Sequence, residues 1–408
     1  MPDRLAVRVT KDAERQIRGG HPWVFDGSIQ SVKPKGEPGD LAVVFDDKRR
    51  FLAIGLYDPA SPIRIKVLHR GDPTPIDASF WAARIDAALA ARPELVGAAT
   101  TDGYRVVHGE NDGLPGLVVD RYAEVLVVKL YSEAWFPHLN DVIAVLVERL
   151  APAAIVLRLA RVVEPDADAG WIDGHTIYGA LPNGSSIVTF RENSLTFEAD
   201  VVHGQKTGFF LDQRDNRALI RSRSVGRRVL DVYSCSGGFT VNAAAGGAVS
   251  VHSIDISAGA IAASRRNMAL NADRPNVAAC THEATVGDAT TVLRGLLRAK
   301  ARFDMVIIDP PSMASTKAQI DGALATYARL ADLGIELLDG GGVLFQASCS
   351  SRVNATDFYD TVAGMADRVG RPLARETYTA HAVDHPVSFP EGAYLKAVIA
   401  TATGAPRR

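Results

Sequence analysis

Residues 228–239 read Arg228-Val229-Leu230-Asp231-Val232-Tyr233-Ser234-Cys235-Ser236-Gly237-Gly238-Phe239. An apolar run ends on an aspartate, a loop of small residues follows, and a helical pattern opens at Phe239. A buried strand feeding a glycine turn and then a helix is the first unit of a doubly wound, mainly parallel sheet, hence an α/β fold. The alternation continues downstream. Val249–Asp255, Phe303–Asp309 and Gly342–Ala347 predict strands; Ala258–Leu270 and Leu324–Leu338 predict helices.

In such a sheet, ligands lie beyond the carboxyl ends of the strands, where the strand order reverses. Ser234, Gly237 and Gly238 form a loop that lets backbone approach a ligand closely. The spacing is not Gly-x-Gly-x-x-Gly, so a pyrophosphate is not the first expectation. Asp255, twenty-four residues after Asp231, stands where an acid accepts bonds from both hydroxyls of a ribose. Asp288, in Gly287-Asp288-Ala289, is placed to meet an adenine amino group. Taken singly, an aspartate at a strand end is more often a helix cap. Together and in this order they fit an adenosyl ligand with a positive sulfonium, S-adenosylmethionine.

The fourth strand of the series runs into Asp309-Pro310-Pro311-Ser312. The two prolines force an extended exit, which holds Asp309 over the ligand. The plainer reading is a loop with an N-capping aspartate. The fifth strand runs into Gln346-Ala347-Ser348-Cys349-Ser350-Ser351, so Cys349 reaches the same rim as Asp309. A cysteine there is an inert small residue unless its surroundings favour the thiolate. As a thiolate it has a use: addition to C6 of a pyrimidine makes C5 nucleophilic enough to take a methyl group. Cys235, in the glycine loop, and Cys280, at a strand-like Val277–Cys280, read as structural.

Residues 1–70 read as short strands and turns with one helix, Asp12–Arg18, and predict a small β-barrel. They carry 13 Lys and Arg against 9 Asp and Glu; the remainder carries 32 against 38. A basic module suits phosphate, and a chance asymmetry of a solvated surface explains it equally. Helices at Asp77–Ala91 and Trp135–Leu150, with strands at Tyr104–Val107, Gly116–Asp120, Val125–Leu130 and Ala154–Leu159, predict a central α/β domain. The expected domains are thus 1–71, 72–193 and 194–408. Three cysteines exclude a disulfide framework, and no Cys/His cluster suggests a metal. Without a long apolar run, and with a Met1–Thr10 stretch unlike a signal peptide, a cytoplasmic protein with no membrane partner is expected.

Asp309-Pro310-Pro311, Ser348-Cys349-Ser350 and the 231–239 stretch resemble the class I methyltransferases that make 5-methylcytosine in 23S ribosomal RNA. The most specific match is Gly204-Gln205-Lys206-Thr207-Gly208-Phe209-Phe210-Leu211-Asp212-Gln213-Arg214. Gly20-His21-Pro22-Trp23-Val24-Phe25, with Gly39-Asp40, resembles that family's RNA-binding PUA domain. Asn111–Tyr122 resembles its central domain. The resemblance implies S-adenosylmethionine as cofactor and 23S rRNA as partner. It implies Cys349 as nucleophile and Asp309 as the residue orienting the base. It also puts Lys206, Thr207, Gly208 and Phe209 beside the cofactor, with Gln213 and Arg214 near the active-site floor and in reach of RNA. Arg18, His21 and Trp23 are the expected RNA contacts of the barrel, barrel core being the other reading of Trp23. One departure is Ser312, where several such enzymes carry a second cysteine. Related enzymes methylate uracil C5 or guanine, and guanine N7 needs no cysteine. The remaining readings are a non-catalytic RNA-binding assembly factor, disfavoured by Asp231, Asp255, Asp309 and Cys349 together, and a small-molecule methyltransferase, disfavoured by the basic barrel. A homodimer is compatible with the sequence.

Overall fold

The computed structural model describes residues 3–404, so residues 1 and 2 of the Met1–Thr10 stretch lie outside the described residues. The chain divides into two compact units. One comprises Met1–Arg191, Ala199–Leu211 and Val383–Pro390; the other comprises Glu192–Glu198, Asp212–Ala382 and Glu391–Arg408.

The first unit opens with six strands: β1 (Arg4–Val9), β2 (Trp23–Phe25), β3 (Ile29–Lys33), β4 (Leu41–Phe45), β5 (Phe51–Tyr57) and β6 (Ile63–Arg70). They form one sheet in the order β2-β6-β5-β4-β1-β3. β1 alternates exposed and buried residues, so Leu5, Val7 and Val9 face the core. Ile17 of α1 (Lys11–Arg18) joins them, and Thr10 caps that helix through Ala13 N.

A second sheet follows in the same unit: β7 (Gly103–His108), β8 (Leu117–Tyr122), β9 (Val125–Leu130), β10 (Ala154–Leu159) and β11 (Thr176–Gly179), in the order β11-β10-β9-β8-β7. α2 (Ala78–Ala90) starts where Asp77 accepts from Ser79 N and Phe80 N. The expected single helix Trp135–Leu150 is corrected: Glu133–His138 is a 3-10 turn containing Pro137, and α3 (Leu139–Leu150) begins only after it. Proline has no amide hydrogen and prevents a continuous helix there. Trp81 and Trp135, both fully buried and 5.3 Å apart at their ring centres, anchor a core that also takes in Leu41, Ile54, Leu56 and Leu68 of the first sheet. β12 (Ile187–Glu192) and β13 (Leu195–Asp200) form a hairpin closed by Asn193 and Ser194 at φ 49 and 66, the left-handed pair that a two-residue turn needs.

The second unit carries seven strands: β14 (Arg228–Val232), β15 (Ser250–Asp255), β16 (Thr281–Val286), β17 (Phe303–Ile308), β18 (Leu338–Ser348), β19 (Leu373–Thr379) and β20 (Lys396–Ala402). Their order is β16-β15-β14-β17-β18-β20-β19. The first five are parallel; β20 runs antiparallel to both neighbours. The helices are α4 (Arg214–Ser222), α5 (Gly238–Ala245), α6 (Ala258–Ala269), α7 (Pro275–Ala279), α8 (Ala289–Arg298), α9 (Ile320–Leu337) and α10 (Ala355–Arg368). Strand order reverses between β14 and β17. Register pairs Val232 with both Ile254 and Ile308, and Ile308 with Gln346, so four strands end at one edge, with β15 running one residue and β18 two residues further. The strand-like reading of Val277–Cys280 is corrected: Pro275 opens α7 and Cys280 caps it. The strand lies just beyond, in the polar Thr281–Val286 at the sheet edge. Among the described residues, no helix is long and apolar enough to cross a membrane.

Candidate active site

The carboxyl ends of these strands put Asp231, Asp255, Asp309 and Cys349 on one rim of the second unit. In the loop after β14, Tyr233 (φ 63), Cys235 (φ 48) and Gly237 (φ 81) are left-handed. Two are not glycine and cost about 1–2 kcal/mol each. Neighbours hold the loop: Ser234 N donates to Ile254 O at 3.0 Å, Cys235 N to Asp255 Oδ2 at 2.9 Å, and Asn267 Nδ2 to Ser236 O at 2.8 Å. At Gly237 a Cβ would stand 2.3 Å from Ser264 Oγ, so only glycine fits.

Asp231 is fully buried. Its Oδ2 accepts from Thr240 Oγ1 at 2.6 Å, while Oδ1 has no partner among the described residues; neither does the buried Ser234 Oγ. Burial pushes the Asp231 carboxyl up to about 7, against the Thr240 hydrogen bond. Orphaned acceptors beside a glycine loop fit a ligand that brings donors and positive charge, as S-adenosylmethionine does. Asp255 accepts from Cys235 N and Ser257 N, one on each oxygen, which leaves lone pairs for a ribose diol. Asp288 is exposed and caps α8; its bonds from the Thr291 hydroxyl and amide lower its pKa. Tyr233, half-buried, feels both carboxylates: burial, then Asp288 and Asp255, push its hydroxyl up to about 12.

On the other half of the rim, half-buried Asp309 accepts from Gln213 Nε2 at 2.9 Å, and Gln213 Oε1 accepts from Asn216 Nδ2 at 2.5 Å. Cys349 Sγ lies 3.8 Å from Pro310 O. The cysteine's turn is clamped from three sides. Ser350 Oγ accepts from Met313 N at 2.8 Å, Tyr327 OH bonds Ser348 Oγ and Ser350 Oγ at 2.9 Å each, and Lys396 Nζ donates to Ser350 O at 2.5 Å. Ser312 Oγ is 3.4 Å from Ser350 Oγ.

Gln213 and Arg214 are 4% and 2% exposed, and Gln213 stands against Asp309 at the rim. Lys206, Thr207, Gly208 and Phe209 belong to the first unit. There Thr207 Oγ1 donates to Asp120 Oδ2 at 2.5 Å, Phe209 N to Tyr122 OH at 3.1 Å, and Lys206 Nζ sits 4.4 Å over the Phe210 ring. Gly208 follows at φ 134. Also in the first unit, Arg18 pairs with Glu14 and Asp46, His21 Nδ1 accepts from Trp23 N, and Trp23 Nε1 donates to Glu110 at 2.9 Å. His21 and Trp23 are half-buried and Phe25 exposed, while Val24 enters the core, so these aromatics are not barrel core. Burial pushes the Cys235 and Cys280 thiols up.

Sequence reasoning missed Tyr233, Tyr327 and Lys396. The one available signal was a lysine heading the apolar run Ala397–Ala400.

The profile of a family described as S-adenosylmethionine-dependent methyltransferase matches residues 104–390, and that of a PUA-like domain matches 7–70. A Ribosomal RNA large subunit methyltransferase of Deinococcus radiodurans is 51% identical, covering 97% of each chain. Ribosomal RNA large subunit methyltransferase I of Shewanella denitrificans is 35% identical, covering 97% of this chain and 99% of that one. A methyltransferase solved in complex with S-adenosylhomocysteine superposes with a TM-score of 0.79 at 19% identity, over 98% of this chain and 100% of that one, a likeness of fold. The cofactor is S-adenosylmethionine, and the chain belongs to the S-adenosylmethionine-dependent methyltransferase family.

Proposed function

We propose that this protein methylates C5 of a cytosine in large-subunit ribosomal RNA through a covalent bond between Cys349 and C6. The ribosomal RNA methyltransferase activity for which its relatives are named supports the RNA, and the PUA-like domain with its surplus of basic residues agrees. The observation that carries the chemistry is Cys349 Sγ at 3.8 Å from Pro310 O, one residue beyond Asp309. A thiol on the rim that also holds Asp231 and Asp255 has a use in methyl transfer to carbon.

The Cys349 thiolate adds to C6, forming an S–C6 bond and shifting the C5=C6 electron pair onto C5 as an enamine. S-adenosylmethionine, when bound, supplies an electrophilic methyl carbon. C5 forms the new carbon–carbon bond as the sulfur–methyl bond breaks and S-adenosylhomocysteine leaves; a base then accepts the C5 proton, the double bond returns and Cys349 leaves as thiolate. Asp309, steadied by Gln213, orients the base; a carboxylate suits the amino group of cytosine and repels the carbonyl of uracil. The target base must be unpaired or flipped to reach this rim. Asp255 holds the ribose and Asp288 the adenine end of the cofactor.

The test is transfer of a labelled methyl group to 23S rRNA followed by nucleoside analysis, with Cys349→Ala in parallel. 5-Methylcytidine from the native protein and none from the variant is expected. Methylated guanosine, or an unimpaired variant, overturns the reading.

A further inference from the structure

Lys396 is 3% exposed at the start of β20. Its cross-strand partner on β18 is Ser348, the residue before Cys349. Nζ donates to three main-chain carbonyls: Ser350 O at 2.5 Å, Val353 O at 2.6 Å and Tyr394 O at 3.2 Å. Among the described residues no carboxylate pairs with it. An ammonium out of water with only neutral acceptors is costly, and such a charge normally finds an anion. The group able to become an anion in its field is the Cys349 thiol: burial lowers the lysine to about 8, and the cysteine pulls the other way. The other titratable groups around this corner do not replace it. Tyr327 of α9 is held neutral by burial and spends its hydroxyl on Ser348 and Ser350. Asp309 stands at the end of β17 and is tied to Gln213. His381 accepts from Leu395 N, Asp212 accepts from Tyr394 OH, and Arg352 on the cysteine's own turn is exposed.

We propose that Lys396 is a positioning residue that holds the Cys349 turn by its carbonyls and supplies the positive charge that draws the thiol toward thiolate. This rests on Cys349 being the nucleophile. The benefit is specific to that role: a lysine that only held the turn would leave the titration of Cys349 unmoved, whereas a positive charge that favours the thiolate lowers it. Above the lysine's own titration the charge fades, so thiol and ammonium titrate as a coupled pair.

Alkylation by iodoacetamide, followed across pH with the modified cysteine identified by peptide mass, reads the thiolate without RNA or cofactor. In the native protein the midpoint for Cys349 is expected below the ordinary thiol value near 8.5. In Lys396→Met it is expected to rise by about one unit or more, cutting the alkylation rate at pH 7 roughly tenfold. Lys396→Arg is expected to restore it in part. An ordinary midpoint in the native protein, or an unchanged one in folded Lys396→Met, overturns the proposal; the first holds even if the methionine variant fails to fold. Methyl transfer by Cys349→Ala separates the two ideas. An active alanine variant sinks the nucleophile reading, whereas a flat alkylation profile sinks only the role of Lys396.

Discussion

Gln213 Nε2 donates to Asp309 Oδ1 at 2.9 Å, and Asn216 in turn holds Gln213. The prolines after Asp309 restrain its backbone but leave its side chain free to turn. Gln213 supplies that missing restraint. Gln213→Leu, similar in volume, is expected to lower kcat about 10- to 100-fold while leaving cofactor affinity within about twofold. Single-turnover methyl transfer and cofactor titration check the split. Equal losses in both would mean that the residue supports the fold rather than Asp309.

Asp231 predicts an unusual pH dependence. Burial raises its folded-state pKa from 3.8 to about 7. Its protonated form therefore favours folding: the contribution is full below 3.8 and is lost as pH rises through 7. Asp231→Asn should match the native protein in melting temperature near pH 4 and exceed it by roughly a few degrees at pH 8. The cost should appear in binding. Cofactor should raise the native melting temperature more at pH 8 than at pH 5, and the asparagine variant should lose that gain.

Gly237→Ala tests the cofactor loop. The residue sits at φ 81 and an added Cβ meets Ser264 Oγ at 2.3 Å. The loop must move, so S-adenosylmethionine affinity is expected to fall at least about tenfold. Calorimetric titration reads it directly. Unchanged affinity would remove this loop from the binding site.

Arg217 and Glu192 are 2% and 1% exposed and joined by two hydrogen bonds of 2.7 and 2.5 Å. Removing Arg217 takes the opposite charge away from the buried Glu192 carboxylate. Arg217→Met is expected to destabilise the chain by about 3–5 kcal/mol, read from chemical unfolding. The double variant with Glu192→Leu should recover much of that loss.

The parallel core was legible because β14, β17 and the later part of β18, from Gly342, are mostly buried and read as largely apolar runs. β16 was not, since an edge strand reading Thr281-His282-Glu283-Ala284-Thr285-Val286 has no apolar run to find. The helix expected at Trp135 failed on one residue, Pro137, inside an otherwise periodic stretch. Asp231, Asp255, Asp309 and Cys349 could be picked out because each stands at or just past the end of a strand. Tyr327 and Lys396 could not, because what matters is their contact with Ser348 and Ser350 from a helix and from an antiparallel strand added late in the chain. Side chains that support a site across a sheet leave no local spacing.

The most direct test of the account is trapping. RNA carrying 5-fluorocytidine blocks loss of the C5 substituent, so an adduct formed through C6 persists after methyl transfer. Incubated with S-adenosylmethionine and the protein, large-subunit rRNA so substituted should yield a denaturant-stable complex, with the nucleotide on the peptide containing Cys349. Cys349→Ala should give none. Methylation of ordinary RNA without any such complex, or a complex mapping to Cys235 or Cys280, would contradict Cys349 as the nucleophile.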